Sequence, residues 1–263
     1  MIRTVRPAAV AGAFYPADAS QLRTMVQRFL AEAQTEGPAP KALIAPHAGY
    51  VYSGPIAASG YRLVSELRDR IRKVVLIGPS HRVPFYGLAA SSADAFATPL
   101  GEVPLDEPSR ELLRSLPQIQ VSDEAHQYEH SLEVHLPFLQ VVLDEFTLVP
   151  LVAGQAAPSE VADVLETLWG GEETLIVVSS DLSHYHDYWT ARAIDAETTQ
   201  MIEQCNWQAL TGERACGYVG IRGLLKLIQR NGYRIRTLDV RNSGDTAGDK
   251  QQVVGYGTYV VHR

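Results

Sequence analysis

The chain has 263 residues, 46% of them hydrophobic and 20% charged, a balance that supplies a sizeable apolar core and argues against disorder. Its net charge is -7, with Lys and Arg scattered along the chain, which excludes an extended nucleic-acid-binding stripe. No run of about 18 apolar residues reads as a membrane span, and the opening MIRTVRPAAVAGAFYPAD has no uninterrupted apolar core of signal-peptide type, so a cytoplasmic protein with no membrane partner is expected.

Two cysteines, Cys205 and Cys216, are too few for a disulfide framework or an iron-sulfur cluster, although one bridge between them stays open. The first element predicted is a helix over residues 21–33, with Asp18 or Ser20 as its cap and Leu22, Met25, Val26, Phe29 and Leu30 at helical spacing. After the loop QTEGPAPK, the segment KALIAPH reads as a short aliphatic strand closed by Pro46 and His47. The glycine-rich AGYVYSGPIAASGYRLVSEL follows, its later half helical. KVVLI (73–77) is the next strand and EPSRELLRSL (107–116) a helix.

Residues 129–142, EHSLEVHLPFLQVV, carry helical periodicity that Pro137 should kink or divide. FTLVPLVA (146–153) is a strand, Pro158 and Ser159 introduce a helix over 159–169, and TLIVVSS (174–180) is a continuous buried strand. Helices over 190–204 and 217–230 precede two closing strands around a glycine-rich loop, which should pair antiparallel at one side of the sheet. Strands alternating with helices predict an α/β chain, residues 1–263 forming a single three-layer α/β/α domain with a largely parallel central sheet.

Three of these aliphatic runs share a design: ALIAPH ends at His47, VVLIGPSH at His81 and LIVVSSDLSH at His184. Ligands of open α/β sheets bind outside the carboxyl ends of the strands, so one sheet would aim three imidazoles at a common edge. Imidazole is the commonest neutral nitrogen ligand for transition metals. Asp181, three residues before His184, either orients an imidazole or caps the turn after its strand, while His186 should face solvent.

HQYEHSLEVHLPF gathers His126, Glu129, His130, Glu133 and His135. Zinc-binding helices use His at i and i+4, whereas His130 and His135 stand about 140° apart on a helix and cannot share an ion unless it breaks. Glu129 and His130 are therefore expected to wall the site, and Glu133 to act as a surface cap. Cys216, ahead of a helix, is either an inert buried thiol or a thiolate ligand; Cys205 is expected in the core. Tyr50 and Tyr52, just after His47, would supply aromatic walls to a substrate pocket. The loop RNSGDTAGDK has neither P-loop nor G-x-G-x-x-G spacing, so no nucleotide is assigned to it.

AGAFYPAD (11–18), APHAGYVYSGPIAA (45–58), GPSH (78–81), EHSLEVHLPFL (129–139), SSDLSHY (179–185) and SGDTAGDKQQVVGYGTYV (243–260) together resemble the Memo family, the B component of the AmmeMemoRadiSam system in prokaryotes. The resemblance runs over nearly the whole chain. It implies a fold similar to class III extradiol dioxygenases, in which two histidines and a carboxylate hold Fe(II) and a further histidine is the acid/base. Carried over, the family's metal positions fall on His47, His81 and Cys216, and its acid/base position on His184. Cys216 stands where the ring-cleaving enzymes have glutamate, and a thiolate shifts preference toward zinc or Cu(I).

The expected function is thus a non-haem Fe(II) oxidoreductase, an extradiol-type dioxygenase cleaving catechols with O2, with His184, Asp181 and His130 in catalysis. Zn(II) or copper are the alternative metals. The rival readings are a zinc-type metallohydrolase on the same residues, and a non-catalytic metal- or redox-handling protein acting with partners of the AmmeMemoRadiSam system.

Overall fold

The computed structural model describes residues 3–263. Its first half contains β1 (Val5–Arg6), α1 (Ala19–Glu32), β2 (Ala42–Ala45), α2 (Tyr50–Val64), β3 (Lys73–Pro79), β4 (Leu88–Ala90), β5 (Ala95–Thr98), β6 (Gly101–Pro104), α3 (Glu107–Leu113), β7 (Ile119–Val121) and α4 (Asp123–Gln127). The second half contains α5 (Leu136–Val142), β8 (Thr147–Ala153), α6 (Pro158–Thr167), β9 (Thr174–Ser179), β10 (His184–His186), α7 (Tyr188–Glu203), α8 (Tyr218–Asn231), β11 (Arg234–Asn242) and β12 (Val253–His262).

The main sheet runs β10-β12-β2-β9-β3-β8-β4-β7, with β11 on the other side of β12. Its centre, β2-β9-β3-β8, is parallel, whereas β12 joins β2 antiparallel and β4 joins β8 antiparallel. The closing hairpin β11–β12 pairs antiparallel at one side, as its Val, Thr and Tyr content predicted. A separate three-stranded sheet, β1-β5-β6, was not foreseen, because strands of two to four residues carry too few positions to show a period.

Each central strand is buried on both faces because successive side chains alternate. Val74 and Leu76 of β3 pack with α1, α2 and α5, while Val75 and Ile77 pack with α6 and α8 on the opposite face. This is the expected α/β/α layering. No helix among the described residues is long and apolar enough to cross a membrane.

Three helical segments sharpen the expectation. Asp18, not Ser20, caps α1, accepting from the Gln21 N–H at 2.8 Å. The whole glycine-rich stretch from Tyr50 is helical and includes Pro55, because α2 crosses neighbours at close range: a Cβ at Gly54 would run into the Phe29 ring, and one at Gly60 into Thr258 and Leu43. Residues 129–142 do not form one helix. Pro137 sits in the first turn of α5, where its missing N–H costs nothing, and the residues before it form an irregular turn and a single 3-10 turn, Glu133–His135.

Candidate metal centre and cleft

The parallel register puts the ends of β2, β9 and β3 side by side, with Ala45 opposite Ser179 and Val178 opposite Ile77. His47 follows β2 by two residues and is buried. Its backbone N–H donates to Asp181 Oδ1 at 2.8 Å, and its Nδ1 lies 2.6 Å from Ser179 Oγ. His81 follows β3 by two residues, its Nδ1 2.9 Å from Glu129 Oε1 and its backbone N–H 2.6 Å from Glu129 Oε2. Cys216 lies just before α8, its Sγ 3.3 Å from His47 Nε2 and 3.3 Å from the Asp181 backbone nitrogen. Gly217 lets this turn lie against the end of β9, since a Cβ there would collide with the Ser179 carbonyl.

Ligand atoms of His47, His81 and Cys216 all lie within 4.8 Å of one another. Both imidazoles are held through Nδ1, so each offers Nε2, and outer partners on the far nitrogen are what metal-ligating histidines require. Two nitrogens and a sulfur on one small locus suit a transition-metal ion. His81, Glu129 and His130 are also close enough to share an ion. The Glu129 oxygens, however, already accept from the His81 ring and from the N–H groups of His81, His130 and Ser131, which leaves them poor ligands.

Burial, followed by the neighbouring imidazoles, pushes His47 well below the usual histidine range. The Cys216 thiol is pushed up to about 12, first by burial and then by the Asp181 charge. Burial likewise raises Asp181 to about 7, and lowers His130 to about 4 and His135 to about 3. Glu129 goes the other way: burial acts to raise it, but the His81 hydrogen bond and charge and the backbone donors hold it at about 2. Without a cation the His47, His130 and His135 rings and the Cys216 thiol are thus held neutral, beside the Glu129 carboxylate. A bound cation reverses that preference by favouring thiolate and unprotonated imidazole.

An open cleft of about 730 Å³ meets this cluster, walled by Phe14, Tyr52, His130, His184, Tyr185 and Tyr256. His130 stacks on His81 with ring centroids 4.6 Å apart and meets Phe14 at 4.6 Å. His184 is half-buried, its basicity lowered by burial and partly restored by the Leu182 carbonyl. Tyr185 has φ 62 where the β10–β12 register shifts, a left-handed conformation that turns its ring outward at the cleft rim.

Several sequence expectations need correction. Tyr50 is not a pocket wall: its hydroxyl donates to the Val134 carbonyl at 2.5 Å and its ring packs on Phe138, because the first turn of α2 directs it into the core. Glu129 is buried behind His81 and outside the cleft. Asp181 serves His47 and Cys216, and no hydrogen bond to His184 is found among the described residues. Glu133 is no surface cap; fully buried, it pairs with Arg6 at 2.5 Å and accepts from the Tyr15 hydroxyl and the N–H groups of Ala9 and Val10. His126 is structural, its Nε2 2.8 Å from the Ala89 carbonyl. Cys205 lies beyond α7, half-buried with φ 52, and both cysteines are free. His186 is exposed, as expected.

Sequence reasoning missed Phe14, Ser131, Ser179, His135 as a partner of Ser179, and the segment from Ser243 to Tyr256 that closes one side of the cleft. Serines at strand ends carry no distinguishing signal. Phe14 and the late segment did stand within the quoted family motifs.

An α/β/α fold with a His-His-Cys cluster at the carboxyl edge of its parallel strands, its donor atoms close enough to share one ion, defines an α/β protein with a candidate metal site. The chain belongs to the Memo family: the model described as "Memo-like protein" matches residues 6–260. It is 38% identical over 267 residues to a "MEMO1 family protein" of Aquifex aeolicus, covering 96% of this chain and 97% of that one. It is 34% identical to a MEMO1 family protein of Thermotoga neapolitana (96% and 98% covered) and 33% identical to one of Sulfolobus acidocaldarius (96% and 97%). Among solved structures, an uncharacterized protein from Escherichia coli K12 superposes with a TM-score of 0.52 at 15% identity, covering 83% of this chain and 98% of that one, a likeness of fold.

Proposed function

We propose that this protein is a cytoplasmic non-haem Fe(II) enzyme of extradiol type, which opens a catecholic ring with O2. The observation that carries the reading is that the cleft holding His130 and His184 opens directly on the atoms of His47 and His81, with Cys216 behind them. Bound Fe(II), held by His47, His81 and Cys216, would supply the redox link between a diol and oxygen. Phe14, Tyr52 and Tyr256 form walls suited to a flat ring. His184, a neutral imidazole on the cleft wall, takes a hydroxyl proton from the diol and returns it later; His130, also neutral, is placed to assist. Asp181 holds the His47 backbone and is a positioning residue.

The thiol of Cys216 favours a second reading. Thiolate is a softer donor than carboxylate and suits Zn(II) or Cu(I), which supports either metal-assisted hydrolysis with His184 as acid/base or metal handling with protein partners. Oxygen uptake separates these. Protein reconstituted anaerobically with Fe(II) and mixed with a panel of catechols should consume O2 and give a yellow ring-opened product, and His184→Ala should lose both. Absence of uptake with iron demonstrably bound would sink the dioxygenase reading.

A further inference from the structure

Ser179, the last residue of β9, has its hydroxyl where three polar groups meet. Its Oγ lies 2.6 Å from the Ser131 carbonyl oxygen, 2.6 Å from His47 Nδ1 and 2.8 Å from His135 Nε2. A hydroxyl has one proton to give and two lone pairs to receive. The Ser131 carbonyl can only accept, so the single proton goes there, and both imidazoles must donate into Ser179. His135 then carries its proton on Nε2 and presents a bare Nδ1, which the Tyr61 hydroxyl meets as donor at 2.8 Å. His47 carries its proton on Nδ1, leaving Nε2 bare beside Cys216 Sγ.

The opposite polarity fails on the same count. If Ser179 donated to His47, two oxygens would touch at 2.6 Å with no proton between them, and the Ser131 carbonyl would lose this donor in a buried setting. The His47 proton would sit on Nε2, the nitrogen a metal needs.

We infer that Ser179, held in turn by His135 and Tyr61, is a positioning residue that fixes the tautomer and ring plane of His47, so that its Nε2 lone pair faces the metal set before any metal arrives. This rests on reading His47, His81 and Cys216 as that set. Ser131 ties the arrangement together: its carbonyl takes the Ser179 proton, its N–H donates to Glu129 Oε1 at 2.9 Å, and its Oγ donates to the Pro79 carbonyl at 2.8 Å. The group that orients His47 and the group that orients His81 are therefore anchored on one residue.

The test is nitrogen NMR of the histidine rings in metal-free protein, beside zinc affinity measured by competition with a chromophoric chelator. In the native protein His47 should be protonated on Nδ1. Ser179→Ala should move the proton toward Nε2 and weaken zinc by ~10–100-fold. Ser179→Thr, which keeps a hydroxyl, should recover most of the affinity. So should His135→Gln, whose amide can donate to Ser179 and accept from Tyr61. A native His47 protonated on Nε2 would overturn the proposal with no variant needed, as would a Ser179→Ala protein with native tautomer and affinity. A His47→Ala protein that binds zinc like the native one would instead remove the metal set and leave the tautomer result standing.

Discussion

Glu129 grips His81 at two points, Oε2 taking its backbone N–H at 2.6 Å and Oε1 its ring Nδ1 at 2.9 Å. Backbone and ring are thereby fixed together, and the ring's Nε2 is left for a ligand. The carboxylate is held at about 2, so it is ionised across the working pH range.

Glu129→Gln removes that charge and turns one acceptor into an amide donor facing an N–H. The expected loss is ~10–100-fold in metal affinity, read by zinc titration. Native affinity in this variant would show that His81 needs no anchor.

His47→Ala and His184→Ala should separate binding from chemistry. The first removes a donor of the buried set and should abolish tight metal binding. The second changes only a cleft wall and should keep the metal while losing turnover. Metal analysis of both purified proteins, with activity on the same samples, distinguishes the two; loss of metal from both would place His184 among the ligands.

The Arg6–Glu133 pair fastens the N-terminal segment, and with it Phe14, to the body of the protein. Both side chains are buried, and Arg6 also donates to the His126 and Glu129 carbonyls. Arg6→Met leaves the Glu133 carboxylate without its cation and should cost about 3–5 kcal/mol in urea unfolding. Arg6→Met combined with Glu133→Leu should recover part of that loss, because no unpaired charge then remains. A single variant of native stability would contradict this account.

His126 makes stability depend on pH. Burial lowers it to about 4 from an ordinary 6.5, so between those values the unfolded chain binds a proton the folded protein refuses. Stability therefore falls as pH drops from about 6.5 toward 4, by up to about 3 kcal/mol from this residue. His126→Gln, which can still donate to the Ala89 carbonyl, should flatten part of that slope in urea midpoints taken across the range. An unchanged slope would assign it to the other histidines that burial lowers, His47, His130, His135 and His184.

The sequence by itself determined the layered α/β architecture and the place of the site. Unbroken aliphatic runs such as VVLI and LIVV are buried on both faces of a parallel sheet, and a polar residue just past such a run emerges at the carboxyl edge. His47 and His81 were legible for that reason. Cys216 was legible only as either an inert thiol or a ligand: its place beside His47 depends on how the turn before α8 folds back over β9, with Gly217 admitting the Ser179 carbonyl, and the family resemblance alone favoured the ligand.

Only the tertiary structure decided which neighbours the ionisable groups meet. Tyr50 and Tyr52 are two residues apart, yet one turns into the core and the other lines the cleft, because a helix rotates them about 200° from each other. Glu133, read as a surface group, became the buried partner of an arginine 127 positions away. Ser179 and Ser131, ordinary serines in the chain, meet because the end of β9 lies against the turn before α5, which sets the Ser179 hydroxyl between the Ser131 carbonyl and the His47 and His135 rings. Local pattern reports periodicity and exposure; hydrogen-bond partners are set by chain crossings that no short window contains.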